Sequence, residues 1–196
     1  MKREPELIRS FIAINLEESL RPHLSWLQDT LRTAGAEVSW VRVENIHLTL
    51  KFLGEVTKKR LDVVKEAIKE VTRTGFPFPI NLQGLGVFPN LRSPRVVWVG
   101  VEEETGELKR LQGDLEKVLS KKGFPKEGRP YTPHLTLGRV RSPKNKEGLV
   151  ALLEAYKGES LGGMQVKSME LMQSQLFPKG AVYSILESFP LGRLEI

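Results

Sequence analysis

Apolar and polar positions alternate most cleanly in two places, His47-Leu48-Thr49-Leu50 and His134-Leu135-Thr136-Leu137, two copies of one tetrapeptide. In a strand, successive side chains point to opposite faces, so each copy sends its His and Thr one way and its two leucines the other. The leucines face a core and the polar pair faces a cleft. Around these copies the pattern predicts a mixed chain. A strand over 9–16 puts Phe11, Ala13 and Asn15 on one face. A helix follows, with Leu20, Leu24, Leu27 and Leu31 at helical spacing, Glu17 and Glu18 at its positive end, Pro22 near its start and Gly35 at its close.

Residues 38–43 read as extended, 44–45 as a turn, and 46–53 as the first motif strand, closed by Gly54. Leu61, Val64, Ile68 and Val71 mark a helix over 58–74 with Thr57 as N-cap and Gly75 as its stop. Residues 76–88 hold one long strand or a strand pair with an edge-like start at Pro77 and Pro79. After a turn, 95–101 is a strand, and Leu108, Leu111, Leu115, Val118 and Leu119 give a third helix. The second motif strand covers 134–140. A basic loop, a short helix over 147–156 and strands over 165–177 and 181–189, turned at Lys179-Gly180, complete the chain. The class is α+β. The motif histidines lie 87 positions apart, which suggests a divergent internal repeat.

Composition changes the picture in two ways. Thirty Lys and Arg against 24 Asp and Glu give +6 at pH 7, a balance that suits an anionic partner as well as ordinary solubility. Cysteine is absent, which excludes a disulfide framework, a thiolate metal site and a cysteine nucleophile. The apolar stretch at 11–16 is too short and too interrupted for a signal peptide or a membrane span, so the expectation is a cytoplasmic protein with no membrane partner.

Only three histidines occur, and two of them sit in the repeated motif; His23, in a polar helical stretch, reads as a surface residue. A phosphodiester hydrolysed near neutral pH needs a base for water and an acid for the leaving oxygen. Imidazole, with an unperturbed pKa near 6.5, suits both tasks. Thr49 and Thr136, on the same faces, can donate hydrogen bonds to phosphate oxygens. One such strand alone would read as structural. Two identical copies point to chemistry. Zinc needs three or four ligands, and neither His-x-His nor His-Glu-x-x-His is present, so no metal and no cofactor is expected.

The stretches His47-Leu-Thr-Leu-Lys-Phe-Leu-Gly54 and Arg129-Pro-Tyr-Thr-Pro-His134-Leu-Thr-Leu-Gly-Arg139 resemble the paired signatures of the two-histidine phosphoesterases, specifically the RNA 2′,3′-cyclic phosphodiesterase or 2′-5′ RNA ligase family. The resemblance extends to residues 9–13, 40–53, 86–89 and 95–100. It implies a single two-lobed domain over 1–196, with mainly antiparallel sheets facing a central cleft and helices outside. It also implies opening of 2′,3′-cyclic phosphates on RNA ends or nucleotides to 2′-phosphomonoesters, without metal, by a monomer. Of the two histidines, His47 is preferred as the acid and His134 as the base, with the reverse assignment left open because the two settings are so alike.

Arg139 matches a basic position of that family. Its odd offset from His134 puts it on the wrong face unless Gly138 permits a bulge. Phe11 and Tyr131 are candidates to stack on a base, with core packing an equal reading for Phe11. Basic residues Arg92, Arg95, Lys126, Arg129, Arg141, Lys144 and Lys146 are candidates for an RNA-attracting rim. Two other functions stay open: ligation as the reverse reaction in the same site, and a non-catalytic nucleotide- or RNA-binding module.

Overall fold

The computed structural model describes residues 6–178 and 180–192. Nine strands, β1 (Leu7–Asn15), β2 (Val38–Trp40), β3 (His47–Thr57), β4 (Phe78–Phe88), β5 (Val96–Glu102), β6 (His134–Val140), β7 (Ser160–Val166), β8 (Ser168–Phe177) and β9 (Gly180–Pro190), form one sheet. Its order is β7-β4-β5-β6-β3-β1-β8-β9, with β2 paired to β6, and every pairing is antiparallel. Four helices, α1 (Arg21–Arg32), α2 (Lys58–Thr72), α3 (Glu107–Lys121) and α4 (Lys146–Ala155), complete the α+β architecture.

The helices pack on one face of the sheet. Leu24, Leu27 and Leu31 of α1, Leu61, Val64 and Ile68 of α2, Leu111 and Leu115 of α3 and Leu149 and Leu153 of α4 share one core with Leu48, Leu50, Leu135 and Leu137 of the motif strands. The opposite face is left for the cleft. Thr57 caps α2 as its position predicts, its hydroxyl accepting from the Arg60 amide at 3.4 Å.

The two sheets implied by the resemblance are halves of this one sheet, and they join where β3 meets β6. These strands overlap only at their N-terminal ends, through the pair Leu48 and Leu135. Each half continues outward through three more strands. Past the junction β3 leaves β6, and β2 takes the vacated edge with Trp40 beside Gly138. That approach requires glycine: a Cβ there would lie 2.6 Å from Val38 Cγ1 and 3.0 Å from the Trp40 ring.

Of the two readings for residues 76–88, one long strand is the one that forms: β4, Phe78–Phe88, pairs with β5 on one side and β7 on the other. One feature differs from the pattern-based expectation. Strand β7 itself was not expected, because Gly162 and Gly163 break the apolar alternation; its order comes from pairing with β4. The expected closing turn includes Lys179, which lies outside the described residues, and β9 begins at Gly180.

Leu135 is fully buried at the junction. Leu135→Ala should therefore cost about 2–5 kcal/mol, the usual range for a core leucine. The check is chemical denaturation, where a midpoint equal to that of the parent protein would show that the junction carries no such stability.

Candidate active site

The Leu48–Leu135 pair lies at equivalent positions of the two motifs, so the motif strands are related by an approximate two-fold through it. Continuing the antiparallel register by one residue either way sets His47 across from Thr136 and Thr49 across from His134. The two histidines then take opposite corners of a four-residue patch and the two threonines the other corners. All four line one cavity of about 620 Å3.

Each imidazole is held the same way. His47 Nδ1 lies 2.8 Å from the carbonyl of Asn45, and His134 Nδ1 lies 2.7 Å from the carbonyl of Thr132. A carbonyl only accepts, so Nδ1 carries the proton in both rings and the neutral form has a bare Nε2. No described residue hydrogen-bonds either Nε2. Asn45 is fixed in turn by donating from Nδ2 to the Ala181 carbonyl at 3.0 Å, tying the β8–β9 hairpin to this corner.

The equivalence continues beyond the tetrapeptides. Over seven residues, His47–Leu53 and His134–Val140 repeat one order of burial, with two buried residues in succession after Thr. In β3 the pairing with β1 skips Leu50, and in β6 the pairing with β5 skips Leu137. Each is a bulge at the last leucine of the motif, and each reverses the facing of the residues that directly follow it.

Arg139 is thereby brought back to the cleft face and lines the cavity. Phe52, at the same offset from His47, is its counterpart: it also lines the cavity and is 64% exposed. The pattern offered no reading of Phe52, although the repeat itself carried the signal, since 47 to 52 equals 134 to 139. The bulged carbonyl of Leu137 is satisfied by the Val41 amide at 2.8 Å and by Gln28 Nε2 at 2.9 Å, and the same Gln28 nitrogen reaches the Val41 carbonyl at 2.8 Å. In β3 the buried residue after the bulge is Lys51, whose ammonium donates to Glu116 at 2.8 Å and to the Pro125 carbonyl at 2.9 Å.

The two aromatic candidates sit in different settings, and for Phe11 the packed reading is the one the structure shows. Phe11 is 3% exposed and packs with Ala13 and Met172, its ring stacked on His47 with centroids 4.7 Å apart. It has too little free surface to receive a base; it fixes and desolvates the His47 ring. Tyr131 is half-buried, and its hydroxyl donates to the Thr49 carbonyl at 3.1 Å, a setting in which burial raises its pKa. It lines a second, adjoining cavity that His134 also borders, and not the first. Of the rim candidates, Arg129 lines both cavities and Arg95 the second. Arg92 lines a pocket elsewhere, and Lys126 one that adjoins the second cavity and shares Arg129 and Tyr131 with it. Arg9, not singled out by its sequence setting, lines the first cavity. His23 is exposed on α1.

The family model described as LigT like Phosphoesterase matches residues 14–98 and again residues 99–183. The chain belongs to the LigT-like phosphoesterase family. The double match agrees with the two-fold seen in the cleft. Among similar proteins, the RNA 2′,3′-cyclic phosphodiesterase of Methanothermobacter thermautotrophicus is 43% identical over 185 residues, 94% of this chain and 99% of that protein. That of Archaeoglobus fulgidus is 41% identical, covering 93% and 99%. Among solved members of similar fold, a Thermus thermophilus protein superposes with a TM-score of 0.80 at 30% identity, covering 95% of this chain and all of that one. Escherichia coli LigT complexed with 3′-AMP gives 0.76 at 26% identity, covering 96% and 100%.

The His47 side of the LigT-like site has a closed setting. Phe11 and Tyr183 enclose the His47 ring, and desolvation by burial lowers its pKa against the raising effect of the Asn45 carbonyl. A histidine depressed in the fold binds fewer protons than in the unfolded chain. Its contribution to stability is thus full above about pH 6.5 and is lost as pH falls through the folded value. An NMR titration of the free protein should place the His47 midpoint below 6.5, and Phe11→Ala should move it up. A midpoint at or above 6.5 would contradict the enclosure.

Proposed function

We propose that this protein opens 2′,3′-cyclic phosphates at RNA ends or on nucleotides, yielding a 2′-phosphomonoester and a free 3′ hydroxyl. The observation that carries the reading is the pair of equivalent imidazoles, each with Nδ1 tied to a backbone carbonyl, bordering one cavity with two threonine hydroxyls and Arg139. One bare Nε2 takes a proton from water as its oxygen attacks phosphorus. The P–O3′ bond breaks, and the other Nε2, protonated, delivers its proton to O3′. Thr49 and Thr136 donate to the oxygens that gain charge in the transition state, with Arg139 as a counter-charge at the cavity wall. Both halves of the chain supply one histidine and one threonine each, so the two lobes act as one catalytic domain.

With His47 as acid and His134 as base, the lowered pKa of His47 has a consequence. Free protein near pH 7 holds His47 mostly neutral, and the substrate's phosphate anion must restore its proton by stabilising the imidazolium. Binding of a 2′-nucleotide is then accompanied by proton uptake. Among the described residues no three His, Cys, Asp or Glu side chains converge to hold a metal. No helix among the described residues is long and apolar enough to cross a membrane.

His47→Ala and His134→Ala should each lower turnover of a 2′,3′-cyclic nucleotide by about 10²–10⁴. Thr49→Val or Thr136→Val should lower it by about 10²–10³. The parent activity should survive a chelator and follow a bell-shaped pH profile. Binding of 2′-nucleotides without turnover at any pH would replace the enzyme by a binding module.

A further inference from the structure

A second cavity of about 830 Å3 adjoins the catalytic one and shares Thr49, Phe52, Phe88, Val96, Arg129 and His134 with it. The shared lining makes the two a continuous trough. We propose that the second cavity is the subsite for the nucleotide on the 5′ side of the cyclic phosphate, with Arg95 and Arg129 holding the phosphodiester that joins the two. This rests on the reading of the first cavity as the cyclic-phosphate site.

The covalent structure of the substrate directs the assignment. A 2′,3′-cyclic phosphate uses both oxygens at the 3′ end of the strand, so RNA continues from the terminal nucleotide only through its 5′ oxygen. An RNA strand that runs on from the catalytic cavity into its neighbour therefore brings its 5′ phosphodiester first and the next nucleoside after it. The lining suits that order.

Arg95 is exposed, with its backbone set by donation from its amide to the Phe88 carbonyl at 2.8 Å. Neither Arg95 nor Arg129 forms an ion pair with a described residue. The buried Lys51 ammonium also reaches this wall, but Glu116 neutralises it. Glu127 is the one carboxylate among the lining side chains, so the two free guanidinium groups leave the cavity cationic. Guanidinium is the donor geometry that matches phosphate. Beyond the cations, the exposed face of Phe52 and the ring of Phe88 offer surfaces on which any base can stack. Phe52 stands at the border of the two cavities, where it can separate the terminal base from its neighbour.

The test compares kcat/KM for adenosine 2′,3′-cyclic phosphate, for the dinucleotide ApA bearing the same cyclic end, and for that dinucleotide with its linking phosphate replaced by neutral methylphosphonate. Parent protein should prefer the charged dinucleotide over the mononucleotide by about tenfold or more, as expected for a charge-assisted contact. The methylphosphonate should lose most of that preference, and Arg95→Gln should lower it for the charged dinucleotide and shrink the effect of the methylphosphonate exchange, Arg129 retaining the rest. Equal kcat/KM for mononucleotide and dinucleotide, or an Arg95→Gln variant slowed equally on both, overturns the subsite while the reading of the first cavity stands. Absence of turnover on every substrate removes that reading and the subsite with it.

Discussion

Strands β3 and β6 touch through one buried residue pair, Leu48 with Leu135, and the geometry of the cleft follows from it. An antiparallel pair at equivalent positions of two identical motifs generates a local two-fold. That two-fold sets each histidine beside the other motif's threonine. A one-residue slip would turn both polar faces into the core, at a cost no marginally stable fold can absorb. The leucines thus hold the register, and the register holds the chemistry. The paired backbone carbonyls of Asn45 and Thr132 then orient the two rings alike.

The bulges at Leu50 and Leu137 are the second constraint. Each motif spends one residue outside the ladder, and the residue two places later returns to the cleft: Phe52 in one half and Arg139 in the other. The halves diverge in what they place at the buried position between. Lys51 reaches out to Glu116 of α3, whereas Gly138 leaves room for β2. Divergence after a shared framework places a phenyl ring at this position in one half and a guanidinium in the other, both lining the cavity that holds the two histidines.

Much of this was legible in the sequence, for physical reasons that can be named. The His-x-Thr faces were readable because strand alternation is local and two copies reinforce each other. The helices were readable from leucine spacing, and Thr57 from its capping chemistry. The facing of Arg139 was not, because a bulge depends on partners far along the chain; Gln28, whose amide helps hold the Leu137 carbonyl, is 109 residues away. Strand β7 was missed because its two glycines carry no pattern and its order comes from β4. Phe11 read equally as a base-stacking ring and as core, and only the packing of β1 against β8 and β3 places it on His47.

The central claim is that two imidazoles at opposite corners act on one phosphate in a single displacement. A direct measurement is the stereochemical course at phosphorus, using one diastereomer of a nucleoside 2′,3′-cyclic phosphorothioate hydrolysed in 18O-labelled water. In-line attack by water with protonation of the departing O3′ from the far side gives inversion. Retention would mean two displacements through a phosphohistidine, and it would contradict the account.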